Sequence, residues 1–423
     1  MPNQPRVVIV GGGFGGLYAA RKLGGAPVSV TLIDRRNFHL FQPLLYQVAT
    51  GGLSPGEIAS PLRAVLRRQR NVEVLLGEVV DLDVEGRRVL LAGGEAAYDQ
   101  LIVATGATHH YFGNDQWAAL APGLKTVEDA TEIRSRVLLA FERAERETDP
   151  AARQALLTFA IVGAGATGVE LAGALGEIAN DTLRHDFRHI NPAEAGILLI
   201  EGADRVLPAF PPELSAKAEM QLIALGVRTR HSARVTNIDS EGVTLLFGGK
   251  TERIAARTVM WAAGVRASRL GQVLAERAGA TLDRAGRVCV EPDLSVPGHP
   301  EIHVIGDLAN FIHQTGAPLP GVAPVAMQQG RYVARLIRRR LRGETVAPFH
   351  YFNKGNLATI GRNRAVADFG FLRIAGFVAW FLWVFVHLMY LVEFENRLLV
   401  FVEWVYNYIT RNRGARLITG GKA

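Results

Sequence analysis

The run RVVIVGGGFGGLYAARKL, Arg6–Leu23, decides the fold. Its first five residues are mostly β-branched and apolar, the composition of a buried strand, and LYAARKL has the composition of a helix. Between them Gly11, Gly13 and Gly16 stand at G-x-G-x-x-G spacing, and a second strand, VSVTLID, ends on Asp34. Each part has a job in gripping a dinucleotide. The first glycine allows the tight turn, the second lets backbone approach a pyrophosphate, and the third allows the helix to pack on the strand. The helix N-terminus then faces the phosphates, and Asp34 is placed to accept hydrogen bonds from the adenosine ribose.

The unit recurs. LLTFAIVGAGATGVELAGAL predicts a strand over Leu156–Val162, a turn carrying Gly163, Gly165 and Gly168, and a helix from Thr167. The next strand, AGILLIE, ends on Glu201, farther from its glycines than the usual ~20 residues, with the polar stretch NDTLRHDFRHINPAE filling the gap. A carboxylate at Glu201 favours a free 2′-hydroxyl and hence NADH, although Arg205 nearby pulls toward a 2′-phosphate. Two dinucleotide sites in one chain imply an electron relay, with FAD in the first unit and NADH in the second. YDQLIVATGA carries Thr105 and Gly106 to the end of a strand. EIHVIGDLA does the same for Asp307, at the edge where open α/β sheets bind ligands.

The single cysteine, Cys289, excludes a disulfide framework, a cysteine zinc site and a dithiol redox pair. No metal site is expected: His109-His110 and His185/His189 lack companions at ligand spacing. The net charge of +7 is uneven, because residues 331–423 hold 15 Lys/Arg against 5 Asp/Glu. Beside an apolar run, such a basic end points to an anionic membrane surface before nucleic acid.

With these motifs in view, the sequence resembles the two-dinucleotide-binding-domain flavoproteins, and within them the type II NADH dehydrogenases, single-subunit NADH:quinone oxidoreductases. The narrower marks are FHLFQPLLYQVATGGLSPGEIASPLR, LPGVAPVAMQQG and NLATIGRNRAVADF. The resemblance implies an α/β fold of two Rossmann-like dinucleotide-binding domains plus a C-terminal helical membrane-anchoring segment. It divides the chain into residues 1–112 (FAD, first part), 113–283 (NADH), 284–345 (FAD, second part, with the quinone-site helix) and 346–423 (membrane anchor). It implies FAD and NADH as cofactors, a membrane quinone as acceptor, no proton pumping, and a place at the cytoplasmic face of the cell membrane. Glu170 matches the family's glutamate near flavin and nicotinamide, where it would couple protons or position the reduced ring.

The family's quinone signature runs Ala-Gln-x-Ala-x-Gln. Here Ala323, Pro324, Ala326, Gln328 and Gln329 occupy that stretch, with Pro324 in place of the first glutamine. Proline in a first turn costs no helical hydrogen bond, and Gln328 is the expected polar contact to a quinone carbonyl. A sulfide:quinone or disulfide reductase would need more than one cysteine. A reductase of a protein acceptor such as ferredoxin, or a nucleotide-sensing flavoprotein, remains the alternative, and a homodimer through the apolar end stays open.

That end contains IAGFVAWFLWVFVHLMYLV, Ile374–Val392, long enough to span a bilayer. A single crossing would strand Arg397, Arg411, Arg413 and Arg416 on the far side, against the positive-inside tendency. Asn396, Glu403, Asn407 and Arg411 recur at helical spacing, giving a second helix a polar stripe. The expectation is a monotopic anchor lying on the lipid, its basic residues set for phosphates.

Overall fold

The computed structural model describes residues 4–419, which fold as two units. One comprises the chain up to Leu40, Ala59–Thr108 and Val265–Lys354; the other comprises Phe41–Ile58, His109–Gly264 and the chain from Gly355.

The first unit is built on a six-stranded sheet ordered Ser295–Val296, His299–Val304, Gln100–Val103, Arg6–Val10, Ser29–Asp34, Val72–Leu76. All pairs are parallel except the edge strand Ser295–Val296, and Val8 lies opposite both Thr31 and Leu101. Val7, Val8 and Ile9 are buried because helices cover the sheet. Two of these, Phe14–Leu23 and Ala323–Arg340, touch backbone to backbone. A Cβ on Gly330 would sit 2.2 Å from the Gly15 carbonyl oxygen.

The second unit has a four-stranded parallel sheet ordered Val227–Arg230, Gly196–Ile200, Thr158–Val162, Thr258–Trp261. A three-stranded antiparallel meander, Arg234–Asp239, Gly242–Phe247 and Lys250–Ala255, closes its core over Trp261, Leu198 and Val243. The extra length before Glu201 is a turn of π-helix over Ile178–Thr182 followed by turns and Pro192–Glu194.

The C-terminal segment is not helical throughout. It opens with an antiparallel sheet, Asn356–Gly361, Arg364–Asp368 and Arg373–Ala375, whose hairpin turns through Asn363 at φ +62°. This sheet lies on helix Ala166–Glu177, and the small residues of VELAGALG make room for it. A Cβ on Gly173 would fall 1.6 Å from the Ile360 carbonyl oxygen. Ile374 and Ala375 therefore belong to a strand, and the apolar helix runs only Phe377–Tyr390, followed by Phe394–Thr410. Its 14 residues rise about 21 Å against a hydrocarbon core of about 30 Å. No helix among the described residues is long and apolar enough to cross a membrane.

Candidate functional site

The two glycine loops are copies of one device. Gly11 and Gly163 turn at φ +106° and +100°, a region open to glycine. A Cβ on Gly16 or Gly168 would lie 1.8 Å from the carbonyl oxygen of Gly11 or Gly163, so each helix must start against its own turn. Around Gly13 and Gly165 a Cβ would meet nothing within 4 Å. These are open cradles of bare backbone at the N-termini of helices Phe14–Leu23 and Ala166–Glu177. Neither helix has a side-chain cap or an acidic residue in its first turn. Unpaired N–H groups, a positive dipole end and empty space suit a pyrophosphate.

Both acids also brace their loops. Asp34 accepts from the N–H of Gly12 at 2.5 Å and of Arg36 at 2.7 Å. Glu201 accepts from Ala164 at 2.6 Å and from Ala203 at 2.9 Å. Arg205 is engaged by Asp204 at 3.0 Å and by the Pro208 carbonyl at 3.3 Å. The first loop has a second brace that sequence reading missed. His39, buried and held to a pKa of about 4 by desolvation, is neutral, and its Nδ1–H donates to the Gly12 carbonyl at 3.0 Å. Only the buried strand contact could have signalled it.

In the same unit Thr105 shares a 2.5 Å hydrogen bond with Ser268, and the Ser268 N–H donates to Gly106. Gly306, at φ +73°, donates its N–H to buried Gln329 at 2.7 Å, and the Asp307 carboxylate that follows has no hydrogen-bond partner among the described residues. The helix from Ala323 carries Pro324 in its first turn, and a Cβ on Gly306 would lie 3.4 Å from that of Ala326. Both ends of the Gln328 amide are already paired with one residue. Nε2 donates to the Phe352 carbonyl at 2.9 Å, and Oε1 accepts from the Phe352 N–H at 3.0 Å.

The second unit holds a cavity of about 500 Å³ between helix Ala166–Glu177, the segment around Tyr46 and the two C-terminal helices. Glu170 and Thr359 stand on one wall, Trp383 and Trp404 on another, and Glu177 with Arg413 at a polar part. Burial pushes the Glu170 carboxyl up to about 8, while a backbone hydrogen bond from Thr359 pulls the other way. It is the fifth residue of its helix, beyond the first turn. Arg413 meets Glu177 at 2.7 Å and the Thr50 hydroxyl at 2.7 Å, and the Arg362 N–H also donates to Glu177.

The tail arginines are thus paired within the chain, though Arg411 keeps an exposed side chain. Arg411 pairs with Asp181 at 3.0 Å and Arg416 with Asp186. The polar stripe of the last helix turns the same way: Asn396 is buried and Asn407 donates to the Gly52 carbonyl at 3.1 Å. Phe385, Leu398, Leu399 and Val402 stand exposed and away from the cavity, with Phe371 92 % exposed ahead of them, whereas the exposed Phe377, Phe381 and Ile409 also line the cavity.

Residues 5–330 match the pyridine nucleotide-disulphide oxidoreductase family, and residues 353–412 match the NDH2 C-terminal domain. The type II NADH:quinone oxidoreductase Ndh of Mycobacterium tuberculosis is 48 % identical over 430 residues, covering 100 % of this chain and 92 % of that one. The Staphylococcus aureus type II NADH:quinone oxidoreductase is 29 % identical over 86 % of this chain and 89 % of its own. In fold, the chain is similar to the NDH2 of Plasmodium falciparum solved with NADH, with TM-score 0.88, 20 % identity, and 98 % and 99 % of the two chains covered. It is also similar to the sulfide:quinone oxidoreductase of Aquifex aeolicus, with TM-score 0.75, 18 % identity, and 96 % and 95 % covered. The chain belongs to the type II NADH:quinone oxidoreductase family.

Proposed function

We propose that this chain oxidises NADH and passes the electrons through FAD to a membrane quinone, without pumping protons. The observation that carries the reading is the duplicated loop: two open cradles, each at a bare helix N-terminus and each backed by an acid. FAD, when bound, supplies the ring that takes hydride and releases two electrons. Gly11, Gly13, Gly16 and Asp34 would hold its pyrophosphate and ribose end, with Thr105, Gly106 and the unpartnered Asp307 along the same sheet edge. Gly163, Gly165, Gly168 and Glu201 would hold NADH. Because Arg205 is tied to Asp204, the acid is left to favour a free 2′-hydroxyl.

The aromatic-walled cavity would take the quinone ring. There Glu170, raised to about 8, is mostly protonated at neutral pH and able to give a proton as a quinone oxygen gains charge. Ala323, Pro324, Ala326, Gln328 and Gln329, proposed from the quinone signature, belong to the first unit and are not among the residues lining this cavity. A direct Gln328 contact to the quinone would share an amide that also holds Phe352. The outward aromatic and aliphatic face of the last two helices would seat on lipid as a monotopic anchor at the cytoplasmic face. The arginines beside it are used in internal pairs, so apolar burial and not phosphate binding would dominate attachment.

Anaerobic titration tests the whole. Added NADH should bleach the flavin absorbance of the purified protein, and added quinone should restore it. Bleaching with no recovery on quinone overturns the assignment.

A further inference from the structure

One hydrogen-bond chain in the cavity wall has its direction fixed by an atom that can only donate. The indole Nε1–H of Trp404 donates to Gln47 Oε1 at 2.7 Å. Indole nitrogen has no acceptor role, so the Gln47 amide oxygen must face Trp404 and its NH₂ must face the other way. That NH₂ donates to the Tyr46 phenol oxygen at 2.9 Å. The phenol is therefore an acceptor within the chain, and Gln47 makes no use of its proton.

No other hydrogen bond to that hydroxyl occurs among the described residues. Tyr46 is only 8 % exposed, and burial together with the nearby Glu170 raises its pKa well above the usual value, so it keeps its proton at working pH. An O–H with no acceptor in the protein is satisfied only by what enters beside it, water or a ligand. Tyr46, Gln47 and Trp404 all line the cavity.

The geometry points to Tyr46 as a quinone-binding residue: its O–H donates a hydrogen bond to a ring carbonyl oxygen, with Gln47 and Trp404 as positioning residues. This rests on reading the chain as an NADH:quinone oxidoreductase with the cavity as its quinone chamber. It also gives the last helix, which carries Trp404 between exposed Phe401 and Val405, a hold on the donor through Gln47.

The test uses the FAD-loaded full-length protein with a short-chain water-soluble benzoquinone at pH 7, following kcat and KM for the quinone. Tyr46→Phe keeps the ring and removes the donor; kcat/KM should fall about 5- to 10-fold, mostly through KM. Gln47→Met leaves the tyrosine but removes its brace, and should lose about 2- to 4-fold. In the Gln47→Met background, Tyr46→Phe should cost less than in the wild type, because brace and donor serve one bond. Trp404→Phe frees the amide to turn and gives the same cycle should Gln47→Met lose FAD.

A Tyr46→Phe protein with wild-type KM overturns the donor, and so do losses that multiply across the cycle. Failure of the wild type to reduce the quinone at all overturns the enzymatic reading itself, which separates the two outcomes.

Discussion

Glu170→Gln exchanges a carboxyl for an uncharged amide of the same size, and its effect on stability can be worked from one titration. Burial raises the carboxyl from 4.5 to about 8, so the folded chain keeps this proton where the unfolded chain has released it. Its stabilising share is complete below about pH 4.5 and is lost as pH rises through about 8. The interval corresponds to a ceiling of about 5 kcal/mol at about 1.4 kcal/mol per pH unit. The side chain is half-buried on a cavity that water can enter. Solvent screening therefore leaves about 2–3 kcal/mol. Glutamine has no such titration. The variant should melt within about 1 °C of the wild type at pH 5 and about 2–3 °C above it at pH 9, at about 1 °C per kcal/mol for a chain of this size. Thermal unfolding followed by flavin fluorescence from pH 5 to 9 reads the difference. A gap that does not grow with pH refutes the argument, because a packing effect would be the same at every pH. If the neutral acid serves quinone reduction, wild-type turnover should also fall above pH 8 along a limb that the glutamine variant lacks.

The glycine pair separates cofactor from fold: Gly165→Ala should raise KM for NADH about 10-fold or more with little change in melting, since its Cβ meets only the space kept for the pyrophosphate. Gly168→Ala drives a Cβ into a carbonyl and should cost about 3 kcal/mol or more, seen as a lowered melting temperature. Phe371→Glu combined with Phe385→Glu, both at exposed positions away from the cavity, should leave stability within about 0.5 kcal/mol per site yet cut co-sedimentation with phosphatidylcholine vesicles about fivefold or more. Arg413→Ala removes the cation facing Glu177 and should destabilise by about 1–3 kcal/mol in urea unfolding, less at high salt if the pair is well solvated.

Much of this was legible because the decisive signals are local. Strand, glycine turn, helix and acid lie within a few dozen residues in each loop, and glycine spacing reports backbone geometry directly. Even Glu201, far beyond the usual spacing, was found because its strand ends on it. What escaped depends on partners distant in sequence. Nothing near Gln47 announces that Trp404 will fix its amide, and nothing near Glu177 announces Arg413. The hairpin Asn356–Asp368 was seen as a family mark but not as a sheet, for its small residues answer to Gly173 on another element. The pairing of the tail arginines was hidden for a related reason. Arginines at a helix end suit lipid phosphates by pattern alone, and only the fold reveals Asp181, Glu177 and Asp186 waiting for them.

The direction of the polar stripe carries the larger consequence. A helix lying between water and lipid turns its polar side to water; here Asn396 and Asn407 turn theirs to the protein, which takes water's place. The face left over is almost wholly apolar, so on the proposed reading these helices would meet lipid with little charge of their own, whereas Trp383 and Trp404 stand in the cavity wall. The proposed seating and the chamber then draw on the same pair of helices, and the exposed Phe377 and Phe381 border the chamber itself. A shift of the last helix on the lipid would move the Trp404 indole against Gln47, and through it the Tyr46 phenol. Lipid should for that reason act on the quinone step more than on the NADH step, whose glycine loop is braced by residues of its own strand ends.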